Sequence, residues 1–293
     1  QAAMWIDATV AAGFLATSDA ADDIGHALAP VGPVAKGNAW LWSWNLAIPT
    51  TSEHKDAALQ FITWATSKDY IEMVADLNGW AAVPPGTRVS TYERAEYQEA
   101  APFADMVLQS MLNADPTDST RDPVPYTGVQ FVAIPEFQGI GTDVSQYIAD
   151  ALAGNITVEE ALESGQAATL EVMEDAGYLD GTAPAAQAAE EPAAEEEAPA
   201  PQPREEASLT IATVNNPDMK VMEGLTSEFE AAYPGITLEW VVLPENELRS
   251  RVTTDVATGA ASFDIVTVGA YETPLWGDIG WIESIDALAS ANP

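Results

Sequence analysis

Between residues 208 and 293, short apolar runs alternate with stretches whose apolar residues recur every three or four positions. Residues 209–214 form an apolar run that predicts a strand. Asn215, Asn216 and Pro217 then turn the chain into a helix carrying Met222, Leu225, Phe229 and Ala232 on one face, stopped by Pro234 and Gly235. Ile236, Leu238 and Trp240 alternate with polar residues ahead of residues 241–243, which predicts a second strand. Leu248, Val252 and Val256 mark the next helix, which runs toward Gly259. Residues 263–268 are apolar enough for a strand buried on both faces. The pattern is a βαβαβ unit. Right-handed crossovers would lay its strands parallel, with their carboxyl ends on one rim, where open α/β sheets usually bind ligands.

Residues 1–180 are richer in helical periodicity. Ser52 is positioned to cap a helix whose Ala58, Phe61, Ile62 and Ala65 share a face, and Ser67 to cap another with Ile71, Val74 and Ala75, closed by Asn78 and Gly79. Phe103, Met106, Val107 and Met111 predict a further amphipathic helix. Thr157 with Glu160 makes a capping box before a last helix that ends at Gly177. Residues 41–48 read as a strand between Gly37 and Pro49. The chain opens on residues 1–7, which look like a strand in mid-domain, with neither a signal peptide nor a start methionine ahead of them.

Between these parts, residues 181–207 hold ten Ala, seven Glu and five Pro among 27 positions, with no aromatic or branched aliphatic side chain. Such a stretch has nothing with which to form a core, and its like charges repel. It is expected to be an extended, disordered linker dividing the chain into 1–180 and 208–293. Over the 293 residues, 46 acidic side chains against 10 basic ones give a formal net charge of -36, a field that repels nucleic acid and anionic membranes. No apolar run reaches the roughly 20 residues that span a bilayer, so no membrane insertion is expected. The absence of cysteine removes thiolate chemistry, and two histidines are too few for most metal centres.

Catalytic templates are not met. The sequence has no G-x-S-x-G elbow, no H-E-x-x-H and no phosphate-binding glycine loop. Gly139-Ile140-Gly141 lacks the third glycine of a dinucleotide fingerprint. No cofactor and no metal site are expected. Asp115, Asp118 and Asp122 share a polar loop without the spacing or the glycine of an EF-hand, and a solvated loop is the simpler reading. A glycosidase carboxylate pair is recognised by separation in space, and no separate motif supports one here. Binding templates fit better. Asn215, Asn216 and Asp218 follow the first predicted strand, and Tyr271, Glu272 and Trp276 follow the third, on the same rim. Carboxylates and amides pair with vicinal hydroxyls while aromatic faces cover C–H surfaces, which is the chemistry of a neutral polyol site. Trp276 is equally suited to packing under the following helix, and Asn215 to a simple turn or helix cap.

Several stretches resemble one family. Residues 1–14, QAAMWIDATVAAGF, are similar to a segment of the extracellular solute-binding proteins of ABC sugar importers. Trp42-Ser43-Trp44-Asn45-Leu46-Ala47-Ile48-Pro49, with the helix beginning Ser52-Glu53-His54-Lys55, resembles that family's lobe-crossing strand and the helix after it. Asn78-Gly79-Trp80, Val83-Pro84-Pro85-Gly86-Thr87-Arg88 and residues 128–138 resemble the branch that binds sugar alcohols such as mannitol and sorbitol. Residues 208–293 are similar to the family's amino-terminal βαβαβ.

The resemblance implies an α/β fold of periplasmic-binding-protein lobes in circularly permuted or fragmentary order. The family's first segment stands last here, an intervening stretch that builds much of the second lobe is absent, and Tyr178-Leu179 resembles the family's carboxyl terminus. It also implies hinge closure around a polyol, delivery to an ABC-transporter permease, and a periplasmic or membrane-tethered extracellular location, without catalysis. Carried over by position, Asp7 and Thr9 would face the cleft, and Trp42 and Trp44 would sit near the crossing strand. Arg88 would fork onto hydroxyls or a carboxylate, or form a surface ion pair, and Gln130, Phe137 and Gln138 would lie on loops near the cleft. Asn215, Asp218, Tyr271, Glu272 and Trp276 would come from the amino-terminal lobe. A glycoside hydrolase and a noncatalytic fusion or assembly module are the alternatives.

Overall fold

The computed structural model describes residues 4–11, 15, 18–30, 41–86, 88–114, 134, 136–179, 206–270, 272–286 and 288. The Ala/Glu/Pro stretch up to residue 205, the loop with Asp115, Asp118 and Asp122, and the candidate residues Gln130 and Tyr271 lie outside them.

Four strands form one mixed sheet: β1 (Trp44–Ala47), β2 (Ala207–Val214), β3 (Ile236–Leu243) and β4 (Ile265–Gly269), in the order β1-β4-β2-β3. β2 runs parallel to both β3 and β4, as expected for a βαβαβ unit. β4 lies inside the sheet and is buried along its whole length, in keeping with its largely apolar sequence. The helical crossover after β2 is split at Leu225 into α8 (Pro217–Gly224) and α9 (Thr226–Ala232), while α10 (Glu245–Thr258) runs unbroken to Gly259 in the left-handed conformation.

β1 comes from the other side of the acidic stretch and closes the sheet, antiparallel to β4, with Trp44 opposite Gly269 and Ala47 opposite Val266. The expected strand over 41–48 is thus shortened. Its ladder stops at Trp44 because β4 stops at Gly269. Helices α1 (Lys55–Ala65) and α2 (Lys68–Asn78) bring a second set of apolar side chains onto the same core. The fully buried Phe61 meets Phe229 edge-on at 5.2 Å and Trp240 at 6.0 Å, and Trp64 meets Tyr70 at 5.0 Å. Burying side chains of this size contributes about 1.5–3 kcal/mol each. Residues on both sides of the acidic stretch therefore share one sheet and one core.

Ser67 caps α2 as expected, accepting from the Tyr70 amide at 3.0 Å, and Gly79 ends it at φ 85°. Ser52 does not cap α1. The N-cap is His54, and the Ser52 hydroxyl instead donates to Asp264 Oδ1 at 2.7 Å, while Asp264 Oδ2 accepts from the Thr210 amide at 3.0 Å. A partner just ahead of β4 outcompetes the local cap and links α1 to the sheet. The opening segment departs from expectation as well. Residues 4–8 form no strand, because neither edge of the sheet pairs with them, and Met4 and Ile6 stand 74% and 66% exposed.

Three short helices follow: α3 (Val89–Tyr92), α4 (Ala95–Ala100) and α5 (Ala104–Leu112), which carries the expected Val107 into the core. Helices α6 (Phe137–Leu152) and α7 (Val158–Asp175) then pack against each other as a hairpin. Thr157 and Glu160 make the expected capping box at the start of α7. No helix among the described residues is long and apolar enough to cross a membrane.

Candidate functional site

The carboxyl ends of β2 and β4 lie side by side, and the antiparallel β1 brings its own beginning to the same rim at Gly269. Three tryptophans converge there. Trp42 and Trp44 meet edge-to-face at 5.8 Å, and the buried Trp276 comes from α11 (Glu272–Asp278), which begins just after β4. Asn45 Nδ2 donates to Thr273 Oγ1 at 2.9 Å, and Thr273 Oγ1 donates to the Gly269 carbonyl at 3.0 Å, fixing the first turn of α11 against β1.

Arg249, from the first half of α10, fills the centre of this group. Its guanidinium lies 5.6 Å from the Trp42 ring and 5.1 Å from that of Trp44, within cation–π range of both. Nη1 forms an ion pair with Glu272 Oε1. Nη2 and Nε donate to Glu245 Oε1 at 2.9 and 3.3 Å across one helical turn. The side chains of Arg249 and Glu272 are only 13% and 12% exposed, so the charges are mutually compensated out of water. The second carboxylate oxygen, Glu272 Oε2, is buried and has no hydrogen-bond partner. Glu272 and Arg249 both line a cavity of about 10 Å³, whose other walls include Trp44, Leu248, Val252, Thr267 and Trp276. That volume suits one water molecule or one hydroxyl.

Only glycine fits at position 269. A Cβ there would stand 2.5 Å from Glu272 Oε2 and 2.8 Å from the Trp42 ring. The close approach of carboxylate and indole to bare backbone is what brings β1 and α11 to one point.

Of the sequence-derived candidates, the structure brings Trp42, Trp44, Glu272 and Trp276 together around Arg249. The others lie elsewhere. Asn215 is exposed in the turn after β2, while its neighbour Asn216 caps α8 through the Met219 amide at 2.8 Å. Asp218 sits half-buried in the first turn of α8, and burial holds its carboxyl above the ordinary aspartate value of 3.8. Its charge, after burial itself, also helps to raise the phenol of Tyr70. Asp7 is exposed and accepts from the Ala8 amide at 2.7 Å, and Thr9 is half-buried in the same turn.

Arg88 donates through Nε to the Thr66 carbonyl at 2.7 Å, which caps the carboxyl end of α1. Phe137 and Gln138 belong to the start of α6, whose main packing partner is α7. Arg249 is the residue the sequence reading passed over. Its one local signal is Glu245 four residues earlier, an i,i+4 pair that many surface helices carry. Among the described residues, no group of three or more His, Asp or Glu side chains is placed to hold a metal ion.

Comparison with known proteins gives this rim a context. Residues 1–72 and 213–293, together more than half of the chain, match the family described as bacterial extracellular solute-binding protein. The chain is 50% identical over 179 residues to a protein of Pseudomonas aeruginosa named mannitol-binding protein, covering 60% of this chain and 41% of that one. It is also similar to a crystal structure of an ABC-transporter solute-binding protein from Agrobacterium vitis S4 with bound D-mannitol. The identity is 57% and the TM-score 0.55, covering 59% of this chain and 42% of that one. The chain thus spans about two fifths of the length of each relative. With a sheet whose rim gathers aromatic, acidic and basic side chains, and a family match on both sides of the acidic stretch, the chain belongs to the bacterial extracellular solute-binding proteins.

Proposed function

We propose that this chain supplies one wall of a cleft that binds a sugar alcohol of the mannitol, sorbitol or arabitol kind for delivery to an ABC-transporter permease, without catalysis. The observation that carries the reading is the similarity to a solute-binding protein with bound D-mannitol, at 57% identity. The rim chemistry agrees with it. Glu272 offers an acceptor, and Trp42 and Trp44 offer aromatic surface for the C–H side of a polyol chain. Small-molecule sites commonly enclose about 300–1,000 Å³. The rim cavity is about 10 Å³, so a hexitol would lie across the rim and leave only one hydroxyl-sized part inside. A second wall, of the kind that the longer relatives build from the part of their length outside the match, would complete the enclosure. The same reading places the protein on the periplasmic or extracellular side, with the Ala/Glu/Pro stretch ahead of β2 joining the two segments.

Thermal melts of the chain alone and with millimolar D-mannitol, sorbitol, arabitol, glucose or maltose test it, since a ligand that binds only the folded form raises the midpoint. A polyol-specific rise is the expected result. A cooperative melt that no polyol moves overturns the reading.

A further inference from the structure

We propose that Arg249 is a positioning residue of the polyol site. It holds Glu272 by one carboxylate oxygen so that the other faces the rim cavity and accepts a ligand hydroxyl. The inference rests on the polyol reading above and adds to it a residue and a division of labour within one carboxylate.

The guanidinium is held on three sides, by Glu245 along its own helix, by Glu272 from α11 and by the rings of Trp42 and Trp44 from the start of β1. It cannot turn to a ligand without breaking a pair that is almost fully out of water. Glu272 is 9% exposed, and its Oε1 is engaged while its Oε2 is buried and unpartnered. A buried carboxylate oxygen without a donor is costly, so a group that donates to it there is bound with corresponding strength. The adjoining cavity has room for one oxygen atom, and apart from Arg249 and Thr267 its remaining walls are apolar. A ligand hydroxyl meets both demands. Arg249 acts through Glu272: it fixes which carboxylate oxygen is free.

Titration calorimetry with D-mannitol on the full chain and on R249M, R249K, E272Q and the R249M/E272Q double variant tests this. The expected result is about tenfold weaker binding in R249M and in E272Q, an intermediate value in R249K, and a double variant within about threefold of E272Q alone. Single effects that multiply in the double variant, or wild-type affinity in R249M, overturn the positioning role while mannitol binding stands. A wild-type chain that binds no mannitol overturns the polyol reading and this inference with it. Should R249M fail to fold by circular dichroism, R249K closes the same cycle with E272Q.

Discussion

The sheet and the α6–α7 hairpin are built from equally clear local signals and end in different states. In the sheet region, Phe61, Phe229, Leu209, Ile211 and Ile265 are all fully buried, because strands and helices from both sides of the acidic stretch supply facing surfaces. Among the described residues of the hairpin, only Ala161 and Gly165 are buried, and Leu152, Leu162 and Val158 stand 85%, 64% and 62% exposed. A well-capped amphipathic helix needs a partner before its apolar face contributes stability. Among the described residues, each helix of the hairpin has the other as its main partner, whereas the sheet region has several.

The sharpest way to break this comparison is truncation of a central aromatic. Phe61→Ala is expected to lower stability by about 3–5 kcal/mol in denaturant melts, whereas Leu152→Ala is expected to change it by less than about 0.5 kcal/mol. Comparable losses at the two positions would erase the distinction. Gly269→Ala comes next, because its Cβ would press on Glu272 Oε2 at 2.5 Å and on the Trp42 ring at 2.8 Å. A loss of about 1–3 kcal/mol is expected, together with weaker D-mannitol binding, since the collision falls on the site itself.

Smaller and local is Thr157→Ala, which removes the capping box of α7. About 1 kcal/mol of helix stability should be lost. Hydrogen exchange should quicken in residues 137–175 and stay unchanged in the sheet strands.

The smallest effect concerns Asp218. Burial raises its native pKa above the ordinary value of 3.8, so the folded state binds the proton more tightly than the unfolded state. That contribution is fully present below the unfolded value and is lost as pH rises through the native one. Asp218→Asn is therefore expected to be at least as stable as the natural protein at pH 7, with the difference closing as pH falls below about 4. Melts at a series of pH values would show it, and a variant less stable at pH 7 would contradict it.

How much of this was legible beforehand follows from where the information lies. The βαβαβ unit declared itself because its first and third strands are largely apolar, its second alternates before an apolar end, and its helices keep one apolar stripe, all properties of consecutive residues. Caps at Ser67 and Thr157 were equally local. Ser52 misled because its best partner, Asp264, is 212 positions away. The opening segment misled because apolar composition alone does not supply a neighbouring strand.

At the site, Glu272, Trp276, Trp42 and Trp44 could be named from rim logic and family resemblance, and the structure brings them to one place. Arg249 could not. In α10 it adjoins the Leu248 stripe as an ordinary surface arginine does, and only the fold sets it against Trp44 of β1, Trp42 just ahead of that strand and a glutamate of α11.

The central claim is that the polyol binds at the rim built from both segments. Hydrogen exchange with and without saturating D-mannitol tests it most directly. Added protection should appear in residues 42–46, 245–252 and 265–276, with the α7 helix unchanged. Unchanged exchange along the rim, or protection confined to the hairpin, would contradict the account.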